Sequence, residues 1–169
     1  MRAKLIVGIA ALAAALAWTA AIVGISKRTL FKPAPEVSFT PLSGETFSTS
    51  DLRGKVVLVN FWGSYCGPCI KEMPKIVEAY RKFEPRGYET IAVAVRRDNP
   101  ERVEQFAASR ALPFKVAFDG SGELAKEFGN VRVTPTSFLI DREGRVLRRY
   151  VGEHDWAGLH RLVERELAR

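Results

Sequence analysis

Residues 61–74 read Phe61-Trp62-Gly63-Ser64-Tyr65-Cys66-Gly67-Pro68-Cys69-Ile70-Lys71-Glu72-Met73-Pro74, and they hold both cysteines of the chain. The apolar run Val56-Val57-Leu58-Val59 ahead of them reads as a buried strand, and the residues after them have helical periodicity. The pair therefore falls where a strand passes into the first turn of a helix. Backbone N–H groups there lack intrahelical partners, and the helix dipole favours negative charge, which suits a thiolate. The spacing puts both sulfurs on one side of the turn, close enough to join. One thiol can attack a disulfide and the other can resolve the mixed disulfide that forms. Cys66, at the very start of the helix, is the expected nucleophile; Cys69, one turn in, is the expected resolving thiol.

Other uses of the pair fit less well. A zinc knuckle needs a second ligand pair, and the only histidines, His154 and His160, lie six residues apart near the C-terminus. A purely structural bridge across so short a loop stabilises little. Pro68 suits a first helical turn, where its missing N–H costs nothing.

The chain has 169 residues, enough for one domain and a short extension. Leu5 to Ile25 carry no charge, and at about 1.5 Å per residue they match a hydrocarbon core of about 30 Å. Residues 1–28 are therefore expected to be a single-pass membrane anchor, with a cleavable signal peptide as the rival. Either would place the remainder on the periplasmic or extracytoplasmic side of the cytoplasmic membrane, where a lone exchange motif is informative. The net charge of +7 comes from 26 basic and 19 acidic residues; four of the basic ones flank the anchor. The ordinary balance that remains gives no nucleic-acid signature.

Residues 29–35 include Lys32-Pro33-Ala34-Pro35 and read as a linker, with the domain spanning 36–169. Val37–Phe39 and Glu45–Phe47 suggest a small hairpin. Ile70, Met73, Val77 and Tyr80 mark the inner face of the helix after the cysteines, and Pro74 is expected to kink it. Thr90–Val95 and Lys115–Phe118 read as strands, and Asn99-Pro100 as the start of a helix. A short helix around Leu124 and Phe128 ends at Gly129. Thr136–Ile140 and Arg145–Val151 bracket a turn at 141–144, and Trp156, Leu159, Val163 and Leu167 line a last helix. Alternating strands and helices followed by an antiparallel pair imply an α/β fold, a mixed central sheet flanked by helices. Arg96-Arg97-Asp98 is expected to face solvent, and the two histidines to be cap and surface residues.

Taken together, the Phe61–Pro74 motif, Val133-Thr134-Pro135-Thr136, Phe138-Leu139-Ile140-Asp141 and the Gly144 turn resemble the TlpA/ResA-like membrane-anchored thiol–disulfide oxidoreductases of the thioredoxin superfamily. The resemblance covers residues 36–168 and implies a thioredoxin-like fold with an N-terminal hairpin. It implies that Pro135 is cis and lies against the dithiol, with Thr134 offering its backbone to substrate. Trp62, Tyr65, Gly67 and Pro68 would share in substrate binding. General thioredoxins have a buried Asp where Asn60 stands, and Asn cannot titrate. The resembling reductases instead have a Glu at the position of Glu72, which is expected at an exposed or half-exposed helical position and could serve as proton relay for Cys69, directly or through water; the alternative is a solvated glutamate on an amphipathic helix. Tyr65 stands where Trp is usual. Thr136 stands where the cytochrome c-maturation branch often has Glu, which weakens dedication to apocytochrome c.

The expected function is reduction of disulfides in exported proteins, such as the cysteine pairs of apocytochrome c or of copper-site assembly proteins. A membrane thiol reductase would be the electron donor, the disulfide itself the only redox group, and the chain a monomer. The alternative is a metallochaperone module whose dithiol holds Cu(I). A peroxidase reading fails because residues 58–66 lack the Pro and Thr that such a cysteine needs. A DsbA-like oxidant is disfavoured because no large helical insertion separates Thr90 from Pro135.

Overall fold

The computed structural model describes residues 31–42 and 44–169. The anchor expected over residues 1–28 lies outside them. Among the described residues, no helix is long and apolar enough to cross a membrane.

Five strands form the central sheet: β3 (Val56–Trp62), β4 (Tyr88–Val95), β5 (Lys115–Asp119), β6 (Thr136–Ile140) and β7 (Val146–Val151), in the order β5-β4-β3-β6-β7. β3 runs parallel to β4 and β4 to β5, while β6 and β7 are antiparallel to their neighbours. The expected mixed sheet is therefore present. A separate hairpin pairs β1 (Ser38–Phe39) with β2 (Phe47–Ser48).

All of β3 is buried, and its alternation divides the core in two. Val56, Leu58 and Trp62 face helices α1 (Gly67–Phe83), α2 (Pro100–Ser109) and α4 (Trp156–Leu167). Val57, Val59 and Phe61 face the hairpin residue Phe39 and Phe128, which follows the short α3 (Glu123–Glu127). Apolar side chains on both faces are what a central strand with cover on each side requires.

Two expectations need correction here. The buried face of α1 is Cys69, Glu72, Met73, Ile76, Ala79 and Phe83, so Ile70, Val77 and Tyr80 lie at its half-buried margin. Periodicity locates a stripe, but a polar residue inside it is counted as outside. α1 continues as one 17-residue helix through Pro74, so the proline does not end it. Pro74 lies on the exposed side, where water can satisfy the carbonyl its ring leaves free. Finally, the compact unit starts at Pro33. Pro33 bridges to Arg145, and buried Ala34 donates its N–H to the Gly144 carbonyl at 2.9 Å. The end of the expected linker is thus part of the fold.

Candidate active site

Cys66 is the N-cap of α1, and Pro68 occupies the first turn behind it. The Cys66 sulfur accepts the Cys69 N–H at 3.3 Å, the place a Ser or Asp oxygen takes in an ordinary cap. Cys66 and Cys69 form a disulfide with Cα atoms 5.2 Å apart. When the bridge opens, the same N–H and the helix dipole favour negative charge on Cys66 over Cys69. Burial adds to the difference, since Cys66 is 8% exposed and Cys69 2%.

The loop before Cys66 is held from the next strand. Asp98, in the turn that follows β4, accepts the Ser64 N–H at 2.5 Å, the Ser64 hydroxyl at 2.7 Å and the Asn99 N–H at 2.8 Å. Arg96 and Arg97 are exposed as expected, but Asp98 is buried, contrary to expectation. Its three N–H and O–H donors make that burial tolerable.

On the far side of the disulfide, the Thr134–Pro135 bond is cis, as the resemblance implied. The Thr134 carbonyl oxygen lies 3.6 Å from the Cys66 sulfur, within reach of a thiol donor once the bridge is reduced. The neighbouring groups are already committed. The Thr136 hydroxyl donates to the Val133 carbonyl at 2.7 Å, and the Gly152 N–H to the Pro135 carbonyl at 2.9 Å. Tyr65, Val133 and Val151 are exposed apolar side chains, and Gly67 and Pro68 are exposed beside them. This apolar rim suits the backbone and side chains of an unfolded segment.

Trp62 does not belong to that rim. It is fully buried, packs on Phe106 at a ring separation of 5.1 Å, and supports the site from beneath. Its expected contact with substrate is therefore withdrawn: even positions of β3 face the helices, and the strand extends to Trp62. Asn60 is also buried, donating to the Ser137 hydroxyl at 2.8 Å.

Glu72 departs most from expectation. Instead of an exposed or half-exposed helical position, it holds a carboxylate only 3% exposed. That carboxylate accepts the His154 backbone N–H at 2.6 Å and stands 3.0 Å from His154 Nδ1 through each oxygen. The arrangement calls for a proton on Nδ1. The His154 side chain has no exposure and packs between Tyr150 and Trp156 in tilted arrangements, with centroids 5.1 and 4.8 Å away. Among the described residues its Nε2 has no partner. Glu72 thus shares the buried face of α1 with Cys69, but its hydrogen bonds go to the C-terminal segment. A proton path from Cys69 needs a bridging water or a change of rotamer.

His154 and Asp98 are the residues that sequence reasoning missed. His154 is 82 residues from Glu72, with no local pattern to connect them. Asp98 did have a signal, as an acid between a strand and the helix cap Asn99, but its partner Ser64 is 34 residues away.

Fold, helix-capping dithiol and adjacent cis-proline loop together define a thioredoxin-type thiol–disulfide exchange site. The redoxin family model matches residues 31–162. The thiol-disulfide oxidoreductase ResA of Bacillus thuringiensis subsp. konkukian is 40% identical over 127 residues, covering 75% of this chain and 72% of that protein. Among solved structures, a thioredoxin-like protein of Neisseria meningitidis superposes with a TM-score of 0.76 at 37% identity, covering 82% of this chain and 92% of the other. A DsbE-type thiol:disulfide interchange protein of Chlorobium tepidum gives 0.74 at 33% identity, covering 81% and 96%. The chain belongs to the ResA-like thiol–disulfide oxidoreductases of the redoxin family.

Proposed function

We propose that this oxidoreductase works in the reducing direction, on disulfides of proteins exported across the cytoplasmic membrane. Cytochrome c maturation and copper-site assembly are the settings such a reductase suits. The observation that carries the reading is the Cys66 sulfur: a helix N-cap that accepts the Cys69 N–H, beside the Thr134 carbonyl and an apolar rim. The Cys66 thiolate attacks one sulfur of the substrate disulfide, whose S–S bond breaks, and the departing sulfur takes a proton. Cys69 then loses its proton and attacks the Cys66 sulfur. The second substrate thiol leaves and the Cys66–Cys69 bond closes. Two electrons pass to the substrate, and a dithiol of a membrane thiol reductase restores them.

In this reading Glu72 assists deprotonation of Cys69, and the Thr134-Pro135 loop with Tyr65, Gly67 and Pro68 receives an extended substrate. Residues 1–28 tether the monomeric domain on the outer side of the membrane. The Gly67-Pro68 pair, shared with strongly reducing thioredoxins, favours the reducing half of a range that runs from about −270 to −120 mV in this fold. Equilibration of the full chain with glutathione buffers should give a potential below about −200 mV, and iodoacetamide should modify Cys66 of the reduced protein before Cys69. A potential near that of DsbA, or first reaction at Cys69, would overturn the proposal.

A further inference from the structure

A cleft of about 330 Å³ opens beside the Thr134 loop, and thiol–disulfide exchange alone does not account for its lining. Arg96, Arg97, Lys126 and Arg132 line it together with Thr134. All four cations are exposed, and among the described residues none lies within salt-bridge distance of a carboxylate. No acidic residue is among those lining the cleft, whereas several cations elsewhere have a carboxylate partner. Lys71 faces Glu153, Lys82 faces Glu164, Lys115 faces Glu89, Arg145 faces Asp141, and Arg169 faces Glu166. Leaving aside the four basic residues before position 30, the chain has 22 basic and 19 acidic residues, a surplus of three. The cleft alone holds more unpaired positive charge than that surplus. Its shape is also built in: the Arg96 stem lies across Gly122, where an added Cβ would come within 2.8 Å of Arg96 Cδ.

We propose that this cleft binds an acidic segment of the protein substrate, adjacent in its sequence to the disulfide being reduced. The inference rests on the reductase reading above and names the chemistry of its substrate. Thr134 belongs both to the cleft and to the dithiol, its carbonyl standing 3.6 Å from the Cys66 sulfur. An extended chain leaving the cleft at Thr134 therefore meets the sulfur within one or two residues, at about 3.3 Å each. Exposed ion pairs are individually weak, so several cations along one segment are needed to select it. Such a field also steers encounter, which makes selection depend on salt. A concave cleft that shares Thr134 with the dithiol favours a peptide over an anionic lipid surface.

The test compares three peptides that share one central disulfide loop and carry four flanking Asp, Ser or Lys residues. With the full chain in non-ionic detergent at low salt, kcat/KM for the acidic peptide should exceed that for the neutral one about tenfold, and the lysine peptide should be poorest. Added salt should shrink the difference. An Arg96→Gln/Lys126→Gln/Arg132→Gln variant should lose the preference while reducing the neutral peptide at the wild-type rate. Arg132→Glu alone should narrow it, which keeps the proposal testable if the triple variant does not fold. Equal rates for acidic and neutral peptides, or a preference that survives the substitutions, would overturn the cleft assignment with the reductase reading intact. No reduction of the neutral peptide by wild type would instead refute that reading and the inference with it. Loss of binding to phosphatidylglycerol vesicles in a variant that retains the peptide preference would make the cleft a lipid site and sink the proposal.

Discussion

Cys66 and Cys69 occupy one helical turn, but only Cys66 has its sulfur in the capping position, accepting the Cys69 N–H. That asymmetry was legible from the motif, because strand-to-helix placement and Pro68 fix which cysteine comes first. Glu72 was legible only as a candidate. Its burial removes the alternative of a solvated glutamate, and its pairing with His154 gives it a fixed orientation. Glu72→Gln keeps an oxygen for the His154 N–H and should fold. In its proposed role Glu72 takes the Cys69 proton, and on that reading displacement of substrate by Cys69 should slow about tenfold to a hundredfold and mixed disulfides should accumulate. The pH–rate profile of that step should lose one limb. Quenched-flow trapping of the mixed disulfide measures both effects, and wild-type kinetics with an unchanged profile would reduce Glu72 to a structural partner of His154.

At the scale of elements, β4 and α1 meet through Asp98. Its carboxylate holds Ser64 and Asn99 at once, so the turn after one strand positions the loop that starts the catalytic helix. Asp98→Ala leaves the Ser64 N–H without its acceptor and should cost about 1–3 kcal/mol. Urea unfolding reads the loss, and faster amide exchange at Ser64 should accompany it; unchanged exchange would show that the loop holds its place without Asp98. Helix α4 offers a second test. Burial first, and then the nearby Lys82, hold His160 below its ordinary value of 6.5, and its Nε2 has no partner among the described residues. The folded protein thus prefers the neutral ring, while the unfolded chain takes up a proton near pH 6.5. The unfolded state then binds more protons, so this contribution to stability falls as pH drops through about 6.5 and levels off below the folded value. His160→Gln should show a smaller decrease in urea midpoint between pH 7.5 and 5.5 than wild type. Equal decreases would remove His160 from the account.

Across the whole molecule, Arg142 joins parts distant in sequence. Its guanidinium donates to the Gly54 carbonyl at 3.0 Å and to the Arg86 and Leu167 carbonyls at 3.4 Å each. The loop before β3, the turn before β4 and the end of α4 are thereby tied to the β6–β7 turn. The Gly54 N–H returns a bond to the Arg142 carbonyl at 2.8 Å, so one residue uses both backbone and side chain. The sequence presented Arg142 only as a turn residue. Arg142→Ala should cost about 0.5–1.5 kcal/mol, because two of the three carbonyls it leaves are open to water, with the thiol site unaltered. Calorimetry should show a lowered Tm with peptide reduction retained at low temperature; an unchanged Tm would mean water replaces the guanidinium fully.

The sequence by itself determined the order of elements, the mixed sheet, the capping dithiol and the family. Each rests on local signals: apolar alternation, helix caps, turn residues and a motif contiguous in the chain. Even there, the inner face of α1 came out shifted, because a buried Glu72 looks like an outer residue to a pattern of apolar spacing. Tertiary structure alone decided that Trp62 lies beneath the site, that Glu72 meets His154, that Asp98 anchors Ser64 and that Pro33 and Ala34 join the fold. Trp62 is buried because the alternation of β3 carries on to it and Phe106 covers it, whereas the other three share one physical reason. Burying a polar group requires a partner, and folding is free to supply that partner from anywhere in the chain, at separations no local pattern records.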